Sequence, residues 1–437
     1  MRRFGLDSLA ANLGIGEPGQ AMHDLIRELY PLCRSTTGDG VRETLRILER
    51  ELPLQLHEVP SGTRVLDWVV PQEWNVREAW LAAPNGERVA DLRRSSLHVL
   101  GYSVPIAAKL SLAELKPHLH ALPEHPDWIP YKSSVYREDW GFCLSQRALD
   151  ALPDGEYEVR IDSSLSNGSL TYGEALLPGT SDEEVLLSSH VCHPSLCNDN
   201  LSGIALLWAL GRHLARVEHR YTYRLLFAPV TIGAIAWLAH NEKDLARIRH
   251  GLVVTLAGDP GRITYKRSRS GRAPIDRAAA HVLSHHGPHE LRDFAPFGYD
   301  ERQFCSPGFD LPVGCFMRTP HGEFPQYHSS GDDLDFVTPA ALSDSLVALL
   351  GVFDVLEHDR RYRNLVPKGE PQLGRRGVLG DAPFGGPLQQ AMNWVLAYSD
   401  GQQSLLDIAE RSGLPFARIH EAASRLHAHD LLRPVDG

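Results

Sequence analysis

Cysteine is scarce in this chain. Six are spread over 437 residues, at Cys33, Cys143, Cys192, Cys197, Cys305 and Cys315, and none forms a CxxC pair. That spacing excludes a disulfide framework and a structural zinc module, and it suits a reducing compartment. Basic charge is also in deficit. Forty-four Lys and Arg stand against 55 Asp and Glu, for a net charge of -11. A nucleic-acid-binding surface wants the opposite balance. No apolar run reads as long enough to span a bilayer. The opening MRRFGLDSLAANLG has two arginines but no apolar signal core, since Asp7 and Asn12 interrupt it. Residues 1–20 read as a loose leader, and the expected location is the cytoplasm.

What remains is an ordinary globular composition, 43% hydrophobic and 23% charged, in a chain long enough for two or three domains. Helical spacing starts at Ala21 and again at Val41, Leu45 and Leu48. Residues 63–164 change character. Short strand patterns alternate with turn signals such as Asn85-Gly86 and Asp154-Gly155, which predicts an inserted β-rich domain. From Ser169 strands alternate with helices. Val185–Ser189, Tyr223–Pro229, Gly251–Ala257 and Pro312–Met317 read as strands, and Ser202–Val217, Ile232–His240 and Pro339–His358 among others as helices. That series predicts an α/β fold, a doubly wound, mostly parallel sheet with helices on both faces, built from 21–62 plus 165–365. A Pro/Gly-rich linker is expected at 366–387. Three helical patterns in 388–437 predict a winged-helix-like domain, whose third helix is mixed in charge rather than basic. Packing or subunit contact is therefore its expected use.

The most informative stretch is Glu184–Gly203, EVLLSSHVCHPSLCNDNLSG. A buried strand ends in a polar loop that feeds a helix, which is where open α/β sheets put their sites. A histidine at the strand end, His190, and a carboxylate at the helix start, Asp199, can meet on one metal ion. The plain alternative is a solvated histidine and an ordinary N-cap. Cys192 and Cys197 read as small packing residues rather than soft ligands.

His190 followed by Asn198-Asp199-Asn200-x-Ser202-Gly203 resembles the co-catalytic zinc aminopeptidases, the group that includes secreted bacterial aminopeptidases, glutamate carboxypeptidase and glutaminyl cyclase. The resemblance implies that His190 and Asp199 bind zinc. A later stretch, Tyr327-His328-Ser329-Ser330-Gly331-Asp332, resembles the family's last ligand segment. It implies His328 as third ligand and the Tyr327 phenol as a donor to a tetrahedral oxyanion. Phe297–Gly314 resembles a substrate-binding region, which would set Asp300, Glu301 and Arg302 beside the substrate. The alternative there is a solvated charged triplet.

The chain departs from the family at one point. Where the dinuclear enzymes carry Glu-Glu, as base and ligand, the sequence reads Pro229-Val230-Thr231-Ile232-Gly233, and a further family aspartate aligns with Thr255. This fits a narrower aminopeptidase-like family with an inserted β domain and a C-terminal winged helix, whose motifs Tyr30–Thr44, His190–Leu196, Thr231–Ile235 and Tyr327-His328 cover nearly the whole chain. The resemblance implies one zinc rather than two, held by His190, Asp199 and His328 with a fourth position open. The missing base would be Asp259, Glu301 or Glu323, with Asp259 also a candidate substrate contact. The expected activity is hydrolysis of a peptide or other small amide by zinc-activated water. The alternatives are a zinc deacylase in small-molecule or sugar biosynthesis, and a decayed scaffold using the winged helix as a contact surface. Self-association is compatible with an acidic enzyme of this size, although no residue points to it. Membrane and nucleic-acid partners are not expected.

Overall fold

The computed structural model describes residues 9, 11, 16–380, 383 and 385–435. Two amphipathic helices come first, α1 (Pro18–Leu29) and α2 (Asp39–Glu49), burying Met22, Ile26 and Leu29 on one and Val41, Leu45 and Leu48 on the other. Those intervals of three and four residues are what make a helix face apolar. The expected leader therefore gives way to helix at Pro18, and most of it lies outside the described residues. Strand β1 (Gln55–Pro60) follows.

The chain then leaves the main sheet. Strands β2 (Glu73–Ala82), β3 (Arg88–Asp91), β4 (Ile106–Ser111) and β5 (Glu156–Ser166) form a separate antiparallel sheet in the order β3-β2-β5-β4. β5 alternates Tyr157, Val159 and Ile161 inward with polar residues outward, as a one-faced sheet requires. The chain returns at β6 (Ser169–Leu177), which pairs antiparallel with β1. Residues 63–164 are thus an excursion between two strands that pair with each other.

The α/β series runs β7 (Glu184–His190), α3 (Gly203–Leu214), β8 (Thr222–Ala228), α4 (Ile232–Asn241), β9 (Ile248–Val254), β10 (Ile263–Lys266), α5 (Pro274–His286), β11 (His289–Arg292), β12 (Val313–Met317) and α6 (Pro339–His358). The eight-stranded sheet has the order β1-β6-β8-β7-β9-β12-β10-β11. The expected parallel arrangement holds for the four central strands, β8, β7, β9 and β12. β1, β6 and β10 run antiparallel to their neighbours, so the sheet as a whole is mixed. Every residue of β7 and of α3 is buried, which accounts for the apolar run Val185–Leu187 and the largely apolar Ile204–Leu210. One further expectation needs correcting. α6 is long and apolar enough to cross a membrane by length and composition, with 61% of the apolar window buried inside the fold.

Contact patterns divide the chain into two units, one of 9–271 with 290–346 and one of 272–289 with 347 onward. The second contains β13 (Arg361–Asn364), α7 (Pro387–Tyr398), β14 (Asp400–Ser404), α8 (Leu405–Ser412), α9 (Phe416–Ala428) and β15 (Leu432–Pro434). Its small sheet has the order β14-β13-β15. The central strand thus comes from upstream of the expected linker, and the winged unit begins well before residue 388. The linker itself falls partly on residues outside those described.

In this unit His281 Nε2 accepts the backbone N–H of Phe416 at 3.0 Å. Burial, with help from His285, pushes its pKa down to about 4. Only the neutral ring can accept that bond. The folded pKa lies below the unfolded value of about 6.5, so the unfolded chain takes up the proton first. Stability of the winged unit is therefore expected to be complete above about pH 6.5 and to fall as pH drops toward 4. Hydrogen exchange at α9, compared at pH 7 and pH 5, reads this directly. A His281→Gln chain should respond less to the same step.

Candidate metal centre

The centre is built at the carboxyl end of β7. His190 closes the strand, 1% exposed. The loop that follows returns at Asn198-Asp199-Asn200, and α3 starts at Gly203. A Cβ at Gly203 would stand 2.4 Å from the Val254 carbonyl oxygen and 2.6 Å from Asn200 Oδ1. Only glycine lets the helix start press against β9, which accounts for the Ser-Gly of the motif.

The two asparagines fasten this loop. Asn198 Oδ1 accepts from Gly258 N at 2.9 Å and its Nδ2 donates to Asp259 at 3.1 Å. Asn200 donates to Ser189 Oγ at 2.8 Å and accepts from Leu256 N at 3.2 Å. From below, the Asp332 carboxylate accepts the backbone N–H groups of Asn198 and Asp199 at 2.6 and 2.9 Å. Burial raises the Asp332 pKa to about 8, against the pull of those two N–H donors.

Asp199 is left facing three imidazoles. Its Oδ1 lies 2.9 Å from His190 Nε2 and 3.9 Å from His193 Nδ1, and its Oδ2 lies 3.0 Å from His328 Nε2. Burial works against the Asp199 charge, but His193, His190 and His328 outweigh it and hold the carboxyl well below its usual range. Burial pushes His193 down to about 3, so it is a neutral imidazole, the form that binds metals. His190 Nδ1, His193 Nδ1, His328 Nε2 and Asp199 Oδ2 are all buried without a hydrogen-bond partner. Oδ2 and His328 Nε2 face each other at 3.0 Å with no aligned bond between them. Buried polar groups left this way are costly, and a cation beside Asp199 would give a partner to His193 Nδ1, His328 Nε2 and Asp199 Oδ2. The donor set therefore fits a zinc ion in both chemistry and burial.

His193 is the donor that sequence reasoning missed, although His190-x-x-His193 was there to be seen. Three aromatic rings enclose the group. Tyr299 stacks on His190 with ring centroids 5.0 Å apart, and its hydroxyl donates to Asp199 Oδ1 at 3.4 Å. Tyr327 stacks on His328 at 4.0 Å and shares a hydrogen bond with Tyr299. Burial holds both phenols far above their ordinary pKa. Tyr131, from the excursion between β1 and β6, stands edge-on to His193 and His328 at 5.1 Å from each, and its N–H donates to the His328 carbonyl at 2.8 Å.

The remaining candidates lie elsewhere. Asp259 does not face the imidazoles with a free lone pair. It accepts from Thr319 Oγ1, Thr319 N, Gly261 N and Asn198 Nδ2 at 2.6–3.2 Å, which uses the four acceptor positions of a carboxylate. It holds the loop and is no base. Asp300 and Glu301 are buried rather than solvated, at 2% and 0% exposure. Burial, then the neighbouring Glu301, keeps the Asp300 carboxyl well above its usual range. Glu301 forms an ion pair with Lys266. Arg302 is half-buried, with its Nε unpartnered. Glu323 is exposed and accepts two bonds from Arg292 at 2.6 and 2.8 Å, which lowers its pKa. His321 joins this neighbourhood unannounced by the sequence. It is half-buried, its Nδ1 has no hydrogen-bond partner, and its ring is edge-on to Tyr299 at 5.6 Å. Burial lowers its pKa. Val230, at the position of the absent glutamate, offers no donor, and the buried Thr255 offers only an unpartnered hydroxyl.

Two families match the chain. One, described as a domain of unknown function (DUF4910), covers residues 23–359, and a winged helix-turn-helix covers 360–434. The second match begins one residue before β13. A Clostridium acetobutylicum protein named "Putative polysaccharide biosynthesis protein with aminopeptidase-like domain" is 49% identical over 426 residues, 96% of this chain and 97% of that one. A crystal structure titled as a "putative peptidase" from the same organism is similar at a TM-score of 0.92 and 49% identity, over 95% of this chain and 96% of that one. A zinc aminopeptidase from Bacillus subtilis, 12% identical, is similar at a TM-score of 0.55 over 76% of this chain and 94% of its own. The fold is aminopeptidase-like, and it carries a C-terminal winged helix.

Proposed function

Because the chain belongs to the DUF4910 family, with an aminopeptidase-like fold and a winged helix-turn-helix after it, we propose that it is a zinc-dependent hydrolase of the peptidase type, cleaving an amide bond. One observation carries the reading: His190, His193 and Asp199 are buried with ligand atoms within 4.8 Å of one another, and His328 Nε2 stands 3.0 Å from Asp199 Oδ2. His190, Asp199 and His328 are the expected ligands, in support of which His190 Nε2 and His328 Nε2 lie 2.9 and 3.0 Å from the two Asp199 carboxylate oxygens. His193, at 3.9 Å, borders the open position. Zinc there supplies a Lewis acid and makes hydroxide available near neutral pH. One ion is expected, as Val230 and Thr255 stand where the dinuclear enzymes bring further ligands.

The chain's own groups do the rest. The Tyr327 and Tyr299 phenols stay protonated and donate to the oxyanion that develops on the substrate carbonyl. The lone pair of His321 is free to take a proton from water and return it to the leaving nitrogen, whereas Asp259 and Glu323 are held by hydrogen bonds and Glu301 by its ion pair with Lys266. Asp332 and the two asparagines keep Asp199 in place. Two substrate classes suit this chemistry. A small peptide follows from the name of the Bacillus enzyme. An N-acylated sugar follows from the polysaccharide biosynthesis named for the Clostridium relative.

Elemental analysis of protein purified without added metal, followed by an amide-substrate panel with and without chelator, tests the reading. About one zinc per chain and chelator-sensitive cleavage are expected. Protein that neither contains nor takes up zinc would overturn it, and would leave a scaffold with the winged helix as contact surface.

A further inference from the structure

The charges beside the metal centre discriminate between those two substrate classes. A peptide with a free amino terminus brings an ammonium group. Held out of water, an ammonium needs an uncommitted carboxylate. Against Tyr299 opens a cavity of about 220 Å³, and its lining includes three carboxylates, Asp293, Glu301 and Glu323. Each is taken. Glu301, fully buried, is paired with Lys266, whose ammonium also donates to the Phe297 carbonyl at 2.8 Å. Glu323 is held by both terminal nitrogens of Arg292. Asp293 accepts from Arg267 at 2.7 Å. Burial, with the neighbouring Glu301, raises the Asp300 carboxyl well above its usual range. The cations are spent on the same partners, so the cavity is polar but carries no spare charge of either sign.

Its other feature is an aromatic face. Phe297 is 70% exposed, an unusual state for so large an apolar ring, and it stands 5.3 Å from the ring of His321. A flat apolar face together with fixed, planar donors and acceptors suits a neutral hydroxylated ring. The ring's C–H face covers the phenyl, and its hydroxyls bond to the remaining donors and acceptors of Arg292 and Glu323. A volume of about 220 Å³ takes one such ring and not a chain of them.

We infer that this cavity binds the sugar ring of an N-acylated amino sugar, presenting the amide to the Asp199–His328 end of the site across Tyr299. The inference rests on the amide-hydrolase reading. Water adds its oxygen to the amide carbon, the C–N bond breaks, and the nitrogen leaves as the amine with a proton from that water. The products are a carboxylate and the free amino sugar, with no further reactant.

The test uses the zinc-loaded full chain with two probes, N-acetylglucosamine and leucine p-nitroanilide. Amine release from the sugar is expected at a kcat/KM about 100-fold above that of the anilide. Phe297→Ala should lower kcat/KM for the sugar about tenfold, mainly through KM, and leave zinc content unchanged. Preferential cleavage of the anilide would overturn the inference. If neither probe is cleaved, the hydrolase reading fails for both classes, and saturation-transfer NMR with N-acetylglucosamine judges the cavity alone. Transfer to the ring protons that Phe297→Ala abolishes keeps the sugar assignment. Absence of transfer at about 10 mM sugar removes it.

Discussion

Asp199→Ala is expected to reduce zinc from about one per chain to under about a tenth, and to lower amide hydrolysis by more than about a thousandfold. The side chain is fully buried and is the one anion among three imidazoles at 2.9, 3.0 and 3.9 Å. The neighbouring Asp259 and Asp332 cannot replace it, because their oxygens are committed to N–H and O–H groups. Asp199→Asn separates charge from shape. It keeps the side chain's size and one carbonyl oxygen but not the negative charge, and it too should lose the metal. Elemental analysis after exhaustive dialysis is the readout. Stoichiometric zinc in both variants would remove Asp199 from the ligand set.

Asp332→Ala should give the second largest effect by a different route. Asp332 touches none of the three imidazoles in the bonds described. It accepts the backbone N–H groups of Asn198 and Asp199 and so fixes the approach of the ligand loop. Alanine would leave two buried N–H groups unpaired at about 1–3 kcal/mol each. A loss of about 2–5 kcal/mol in unfolding free energy is expected, measurable by urea titration. Zinc affinity should fall about 10- to 100-fold, as for other residues that orient a ligand, with the metal still bound at saturating concentration. Asp332→Asn retains an acceptor for one N–H and should fall between. An alanine variant with wild-type zinc affinity would show that the loop holds its shape without Asp332.

The parts of the site legible in the sequence are those where local chemistry is dense. The βα junction at 184–203 announced itself because an apolar strand, a polar loop and an apolar helix follow one another within twenty residues. His193 lay inside that stretch yet was passed over, since the resemblance assigned a role only to His190. Asp259 misled for the opposite reason. An acid five residues beyond the end of β9 reads as a base or substrate contact, while its partners Thr319 and Asn198 come from distant segments. The Lys266–Glu301 pair was equally hidden, because ion pairing between a strand and a remote helical turn leaves no periodic trace. In the fold, the central strands were readable from βα alternation. The antiparallel edges were not, because the direction of β6 depends on β1, which lies across a hundred-residue excursion. β13 was missed because RYRN is short and half-buried at best and shows no apolar alternation.

The excursion between β1 and β6 has a kinetic meaning. Tyr131 and its neighbours reach the ligand loop through main-chain contacts: Pro130 bridges Ser329, Tyr131 N–H meets the His328 carbonyl, and Ile129 N–H meets a Ser330 hydroxyl 201 positions away. Gly331 makes room for the Trp128 ring, 2.7 Å from where a Cβ would stand. His328, the third candidate ligand, is thus propped by a segment encoded two hundred residues earlier. Closing so long a loop carries an entropic cost that no local helix or hairpin repays. The candidate metal pocket is therefore expected to be among the last parts of this unit to assemble during refolding. Zinc uptake, followed in time, would serve as a clock for the arrival of the final native contacts.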